Sequence, residues 1–169
     1  GFWRVHLGAD TAYLDPWQTG WCGGLISSYA LLWSEARVVA FSLRNYDFFF
    51  PRGQAPSGLC YGKFGGGRFR TDFHYDHKRP HTHRWHLIRR SGDVLYFTAK
   101  ALQRMRELDI PQGSIDLYRD CLTCLAEAIV AIWQKHGQWG QMVDYLTGEV
   151  ELGPSASGAI IPGALALFA

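Results

Sequence analysis

The spacing of the irregular segments between the helical patterns constrains the fold of this chain more than any other feature. Two long segments, 51–85 and 137–156, are rich in Gly, His, Trp and carboxylates, whereas the connections at 34–37 and 109–113 span only a few residues. In a row of antiparallel helices, every second connection lies at the same end. The two long segments are therefore expected to share one rim, and a functional site is expected there because function concentrates on loops that a rigid scaffold holds.

Hydrophobic periodicity predicts the helices. They are expected at 17–34, 35–50, 87–108, 115–136 and from 157 onward. Gly137 is expected to end the fourth helix as a left-handed C-terminal cap, and Ser114 to cap its start. The sequence shows no convincing series of strands, although 58–64 and 67–73 could form a short hairpin.

The order of helix, turn, helix and long loop predicts a mainly α fold. Small residues near the starts of 17–34 and 157–169 indicate that these helices crowd together as an inner layer, with the more polar 115–136 outside. A helical bundle or solenoid fits this pattern, and so does a closed ring of hairpins, which the inner layer favours. We expect residues 1–169 to be a fragment of a single α/α-toroid domain, because the final apolar run stops without a cap or a polar tail.

Composition and charge argue against several classes of protein. The formal net charge of +2 is too small to indicate a nucleic-acid partner. No run of about 20 apolar residues predicts a membrane span. Cys121 and Cys124 have the CxxC spacing, but they lie inside a helical pattern without a second such pair, which favours buried structural cysteines over a redox or zinc site. No cofactor is predicted, and the sequence leaves the compartment and the oligomeric state open.

The predicted rim brings carboxylates, aromatic rings and cations together. Asp76, Asp144 and Asp15 are the predicted catalytic residues, because a glycoside hydrolase needs one carboxyl group to protonate the leaving oxygen and another to activate water or attack. The predicted substrate-binding residues are Trp21, Tyr75, His81, His83, Arg84, Trp85 and Trp139. The tryptophans would stack on sugar rings, while the histidines and the arginine would orient a sugar or its carboxylate.

A basic and histidine-rich stretch lies in the first long segment. Seven of the 17 lysines and arginines fall between residues 68 and 90. The histidines invite a metal interpretation, but their spacing matches no zinc motif and no metal site is predicted. The arginines fit an acidic sugar such as a uronate, because guanidinium groups hold carboxylates bidentately. A solvated basic loop is the alternative that the sequence leaves open.

Two other functions stay open beside hydrolysis. Tyr75 next to the basic stretch fits a polysaccharide lyase, in which a Tyr or His removes the proton next to a uronate carboxylate and an Arg offsets the developing charge. The remaining alternative is a non-catalytic helical scaffold that binds a glycan or a protein. Such a scaffold predicts rim carboxylates that are scattered in space rather than convergent.

Three parts of the chain resemble the six-hairpin glycosidase superfamily. They are DPWQTGWCGGLISSYALL at 15–32, the segments 54–58 and 79–97, and HGQWGQMVDYLTGEVELGPSASGAIIPGALALFA at 136–169. In that superfamily, a polar Gly-rich loop leads into an inner helix lined with small residues. The resemblance implies a partial (α/α)6 toroid of antiparallel hairpins with long loops on one rim. It implies a glycoside hydrolase that acts on an oligosaccharide, including one that bears uronic acid, and a carbohydrate partner. A fragment of such a ring can lack half of the acid/base pair and be inactive alone.

Overall fold

The computed structural model describes residues 17–20, 23–65, 67–72 and 82–169, with the backbone alone at Trp17. The helices in this part of the chain are α1 (Leu25–Leu31), α2 (Ala36–Phe49), α3 (Ile88–Glu107), α4 (Gln112–His136) and α5 (Ile161–Phe168). The strands are β1 (Trp17–Gln18), β2 (Lys63–Gly65), β3 (Arg68–Arg70), β4 (Trp85–Leu87), β5 (Met142–Asp144) and β6 (Val150–Leu152). The fold is mainly α, as the periodicity predicted. Within these ranges, no helix combines the length and the hydrophobicity that a membrane span needs.

The helices pack around α3. This central helix lies against α1, α4 and α5, while α2 packs against α1. The approach of α5 to α3 is close at Gly92, where an added Cβ would lie 2.7 Å from Cγ2 of Ile160. A larger residue at Gly92 would push α5 away. The result is one hairpin of α1 and α2, a second of α3 and α4, and a further helix beside α3.

The core lies between the two hairpins. The buried residues of α4, from Ile115 through Leu122 to Ile129, repeat at helical spacing and face the other helices. Tyr46 of α2 and Tyr118 of α4 are both enclosed, and their ring centroids lie 5.7 Å apart. Because burying each large apolar side chain contributes roughly 1.5–3 kcal/mol, this shared core fixes the helices that carry the long connections.

The prediction of a helix over 17–34 was wrong in its first part. The structure has β1 at Trp17–Gln18 instead, and α1 begins only at Leu25. The cause lies at Gly24, whose φ of 58° is left-handed. A Cβ at this position would overlap the carbonyl oxygen of Gln18, so the backbone turns back on itself before the helix starts.

The boundaries of the later helices differ from the prediction at their starts. α4 begins at Gln112, three residues before the predicted start, so Ser114 lies inside the helix rather than at its cap. Gly137 ends α4 with a φ of 63°, which confirms the predicted left-handed cap. α5 begins at Ile161, after a short 3-10 turn at Ala156–Gly158.

The expectation that the chain lacks a strand series was wrong, because the described residues contain two small antiparallel sheets. One sheet has the order β1–β2–β3 and pairs Phe64 with Phe69, which confirms the predicted hairpin. The other has the order β4–β5–β6 and pairs Trp85 with Asp144. Because β4 belongs to the first long connection and β5 to the second, the two long connections meet. We call this end of the helices the rim.

Candidate functional site

Arg84 and Asp144, which the sequence placed in different connections, are in contact at the rim. Nη2 of Arg84 lies 2.5 Å from Oδ2 of Asp144. Asp144 is 4% exposed, and its Oδ1 accepts the backbone N–H groups of Leu146 at 2.8 Å and Thr147 at 3.2 Å. Both carboxylate oxygens therefore have partners. These are the contacts of a residue that shapes its own turn and orients an arginine.

Tyr145, which follows Asp144, connects this ion pair to the first long connection. The backbone N–H of Tyr145 donates to the carbonyl of Arg84 at 3.0 Å. The Ser57 hydroxyl donates to the carbonyl of Tyr145, so the start of the first long connection is tied to the second. The rings of Tyr61 and Tyr145 lie 5.3 Å apart. Burial, and then the neighbouring Tyr145, raise the pKa of Tyr61, so its hydroxyl stays protonated and can donate a hydrogen bond.

Two further residues of the predicted site lie beside Arg84. His83 is exposed, and its carbonyl accepts the Thr71 hydroxyl at 2.6 Å. Trp85 is half-buried in β4, where it pairs with Asp144 of β5. Each keeps its predicted role in substrate binding as a prediction, because the structure shows its position and not its ligand.

Trp139 lies against α4. Its ring centroid is 4.3 Å from that of Trp133, and its Nε1 donates to the carbonyl of Ile129 at 3.0 Å. Trp139 is half-buried, whereas Trp133 is 47% exposed. Trp133 therefore offers solvent the larger surface of this pair, and the predicted stacking of Trp139 on a sugar stays a prediction.

The other predicted site residues lie outside the described residues. They are Asp15, Trp21, Tyr75, Asp76 and His81. The predicted opposition of Asp76 and Asp144 across a cleft therefore stays a prediction.

Asp72, His86 and Arg90, which the sequence did not single out as site residues, form a buried polar network at the start of α3. Oδ1 of Asp72 pairs with Nε of Arg90, and Oδ2 lies 3.3 Å from Nδ1 of His86. Oδ2 also accepts the backbone N–H of Leu87 at 2.7 Å. Burial would raise the pKa of Asp72, but the hydrogen bond and charge of His86, followed by Arg90 and Leu87, outweigh it and hold that pKa below its usual value.

The guanidinium of Arg90 joins separate parts of the chain. Its Nη1 donates to the side-chain oxygen of Gln18 at 3.3 Å and to the carbonyls of Gly20 at 3.4 Å and Gly62 at 3.2 Å. Arg90 is 6% exposed. One side chain of α3 therefore anchors β1 and the approach to β2 near the rim. No signal in the sequence distinguishes this arginine from its neighbours.

Asp72, His86 and Ser91 follow one another in the order of a catalytic proton relay. Nε2 of His86 lies 2.8 Å from Oγ of Ser91. A carboxylate, an imidazole and a hydroxyl in this order activate the nucleophile in serine hydrolases. Ser91, however, is 0% exposed, and its Oγ accepts the backbone N–H of Cys60 at 3.2 Å. An enclosed hydroxyl cannot reach a substrate, so the array is structural.

The cysteine prediction is confirmed in part. Cys121 is buried in α4, but Cys124 is exposed, because α4 buries only one of its faces. Burial, followed by Cys124 and Asp120, raises the pKa of Cys121 to about 11, which keeps its thiol neutral. Among the described residues, no three His, Cys, Asp or Glu side chains are grouped as metal ligands.

Comparison with models of protein families, with curated proteins and with solved structures gives no significant match. A functional proposal for this chain therefore starts from the rim itself.

Proposed function

We propose that this chain carries part of the site of a glycoside hydrolase that acts on an oligosaccharide, including one that bears uronic acid. The observation that carries the proposal is the meeting of the two long connections at β4 and β5, with Arg84 against Asp144. The packing of the helices supports it. Two hairpins side by side, with α5 against α3, fit an arc of an (α/α)6 toroid.

Hydrolysis of a glycosidic bond needs a proton donor for the leaving oxygen and a carboxylate that activates water or attacks. In this proposal Asp144 and Asp76 are the carboxylates, with Asp15 as the next candidate. Arg84 would orient the sugar or its carboxylate, and Trp85 beside it would contact the sugar ring.

The contacts of Asp144 admit two roles. It could release one of its partners when the substrate arrives and then transfer a proton or attack. It could instead keep both partners and act through Arg84, as a positioning residue. The two roles predict different kinetics for variants that break the Arg84–Asp144 ion pair.

The test compares Asp144→Asn, Arg84→Gln and the double variant on the cleaved substrate. If Asp144 transfers a proton, Asp144→Asn lowers kcat by about 10²–10⁴-fold, well beyond the effect of Arg84→Gln. If it positions Arg84, both single variants and the double variant lose the same activity, because they break one unit. Asp116→Asn, an exposed carboxylate paired with Arg119 on α4, serves as the control.

The reaction itself is tested on the full-length protein with a panel of neutral and uronate-containing oligosaccharides. New reducing ends without near-ultraviolet absorbance would support the hydrolase. Absorbance that grows as a saturated uronan is cleaved would overturn it in favour of a lyase that uses Tyr75. Neither signal on any substrate would favour a non-catalytic scaffold.

A further inference from the structure

The arginines of the basic stretch that the structure describes divide into two groups. Three of them are paired with carboxylates, as Arg84–Asp144, Arg89–Asp93 and Arg90–Asp72. In the described part of the chain, the side chains of Arg68 and Arg70 of β3 form neither an ion pair nor a hydrogen bond. Nε of Arg70 is buried and has no hydrogen-bond partner. Arg68, which is exposed, and Arg70, which is half-buried, are therefore the arginines of this stretch that lack a carboxylate among the described residues.

One face of the β2–β3 hairpin belongs to the core. Phe64 and Phe69 are directly paired across the two strands. Both rings pack against Phe48 of α2, with centroid distances of 4.9 Å and 5.2 Å. These contacts fix which way the hairpin faces.

The opposite face of the hairpin is cationic. Because side chains alternate along a strand, Lys63, Arg68 and Arg70 project away from Phe64 and Phe69. Lys63 is directly opposite Arg70 in the register, and Arg68 lies two residues from Arg70 on the same strand. We call this surface the cationic face.

An anion bound by Arg68 and Arg70 would offset the positive charge that β3 carries. Guanidinium groups suit this role because they present a planar fork of donors to a carboxylate or a sulfate.

The cationic face adjoins the rim. Thr71 follows Arg70 directly, and its hydroxyl donates to the carbonyl of His83, the neighbour of Arg84. A chain of acidic sugar units that lies against Arg84 could therefore continue along β3.

We propose that the cationic face binds the carboxylate or sulfate groups of an acidic polysaccharide. The inference rests on the proposed hydrolase function and names its substrate class as acidic rather than neutral. A nucleic acid fits less well, because the net charge is only +2 and the rings of the hairpin face the core rather than offering a stacking surface for bases.

The experiment measures binding of the full chain by calorimetry at low salt, where surface charges are least screened. Polygalacturonate is compared with its methyl ester, which has the same backbone without the charge. Dextran sulfate is compared with dextran, so that the two pairs separate carboxylate from sulfate as the source of the anion. A single-stranded oligonucleotide is the competing polyanion. Binding of a polyanionic glycan without binding of its neutral partner is the expected result.

A double variant, Arg68→Gln with Arg70→Gln, tests whether the anion binds at the cationic face. Its control is Arg37→Gln together with Arg106→Gln, which removes the same charge from exposed positions on α2 and α3. Loss of the two guanidinium contacts is expected to weaken binding about tenfold or more. The control variant is expected to stay within about twofold, since only nonspecific attraction is reduced.

Three results would overturn the proposal: equal weakening in both double variants, equal binding of the charged and neutral glycans, or tighter binding of the oligonucleotide. The outcome for the hydrolase is independent. Binding that depends on Arg68 and Arg70 without any cleavage would support anion binding at the cationic face and contradict the hydrolase function. Cleavage of neutral oligosaccharides without binding of either polyanionic glycan would support the hydrolase function and contradict anion binding at the cationic face.

Discussion

Arg90 at the start of α3 and Arg70 on β3 come from the same basic stretch of sequence, yet their surroundings are opposite. Arg90 is 6% exposed, is neutralised by Asp72 and donates to three further acceptors. Among the described residues, the side chain of Arg70 has no carboxylate partner, and Arg70 lies opposite Lys63 in the register of β2 and β3. A buried charge is tolerated only when it is paired, whereas a charge on an outward face can remain solvated. The number of arginines in a stretch of sequence therefore does not show which of them can bind a ligand.

The comparison is tested most strongly by Asp72→Asn. The variant leaves Arg90 buried without its carboxylate, so we expect the free energy of unfolding to fall by about 3–5 kcal/mol. Urea denaturation measures the change. Asp116→Asn, which breaks the exposed pair with Arg119, should cost less than about 1 kcal/mol. Equal losses in the two variants would mean that burial does not distinguish these ion pairs.

The same carboxylate makes stability depend on pH. The pKa of Asp72 is lower in the folded chain than the usual value of about 3.9 in an unfolded one. Its contribution is therefore present above the unfolded value and is lost as the pH falls through the folded value. Between about pH 5 and pH 3, the Tm of the parent should fall more steeply than that of Asp72→Asn. Parallel curves would contradict this assignment.

Arg84→Gln should have an intermediate effect on stability. It leaves the carboxylate of Asp144 without its cation, but the N–H groups of Leu146 and Thr147 still donate to it. We expect the free energy of unfolding to fall by about 1–3 kcal/mol. Thermal unfolding of this variant beside Asp72→Asn measures the difference. A loss as large as that of Asp72→Asn would mean that the Arg84–Asp144 pair contributes as much to stability as the buried Arg90–Asp72 pair.

Arg70→Gln should have the smallest effect. Nε of Arg70 has no hydrogen-bond partner to lose, so the free energy of unfolding should change by less than about 0.5 kcal/mol. Urea denaturation of this variant beside Arg84→Gln provides the measurement. A larger loss would show that Arg70 has a partner that holds the hairpin.

The long helices could be predicted from sequence because their buried residues repeat at helical spacing over many turns. α3 and α4, of 20 and 25 residues, are the clearest cases. β4, β5 and β6 have three residues each, too few to show a period. These strands exist because distant segments pair, and propensity within one segment does not report on that pairing.

The site was predictable in its residue types but not in its contacts. Arg84 and Asp144 could be chosen from their loops, yet nothing in the sequence pairs one with the other. Asp72 was not singled out as a site residue, because its partners are on α3 and β4. A network assembled from separate segments leaves no local pattern to find.

The contacts of Arg90 have a consequence for the order in which the molecule assembles. Its guanidinium reaches Gln18, 72 positions away in sequence, and Gly62, 28 positions away. Large loops must close before these bonds can form, whereas neighbouring helices need only a short turn. We expect Arg90→Met to speed unfolding more than it slows refolding, as stopped-flow kinetics would show. The contacts at the rim would then form last and break first, so that the helices can be packed while the candidate site is still incomplete.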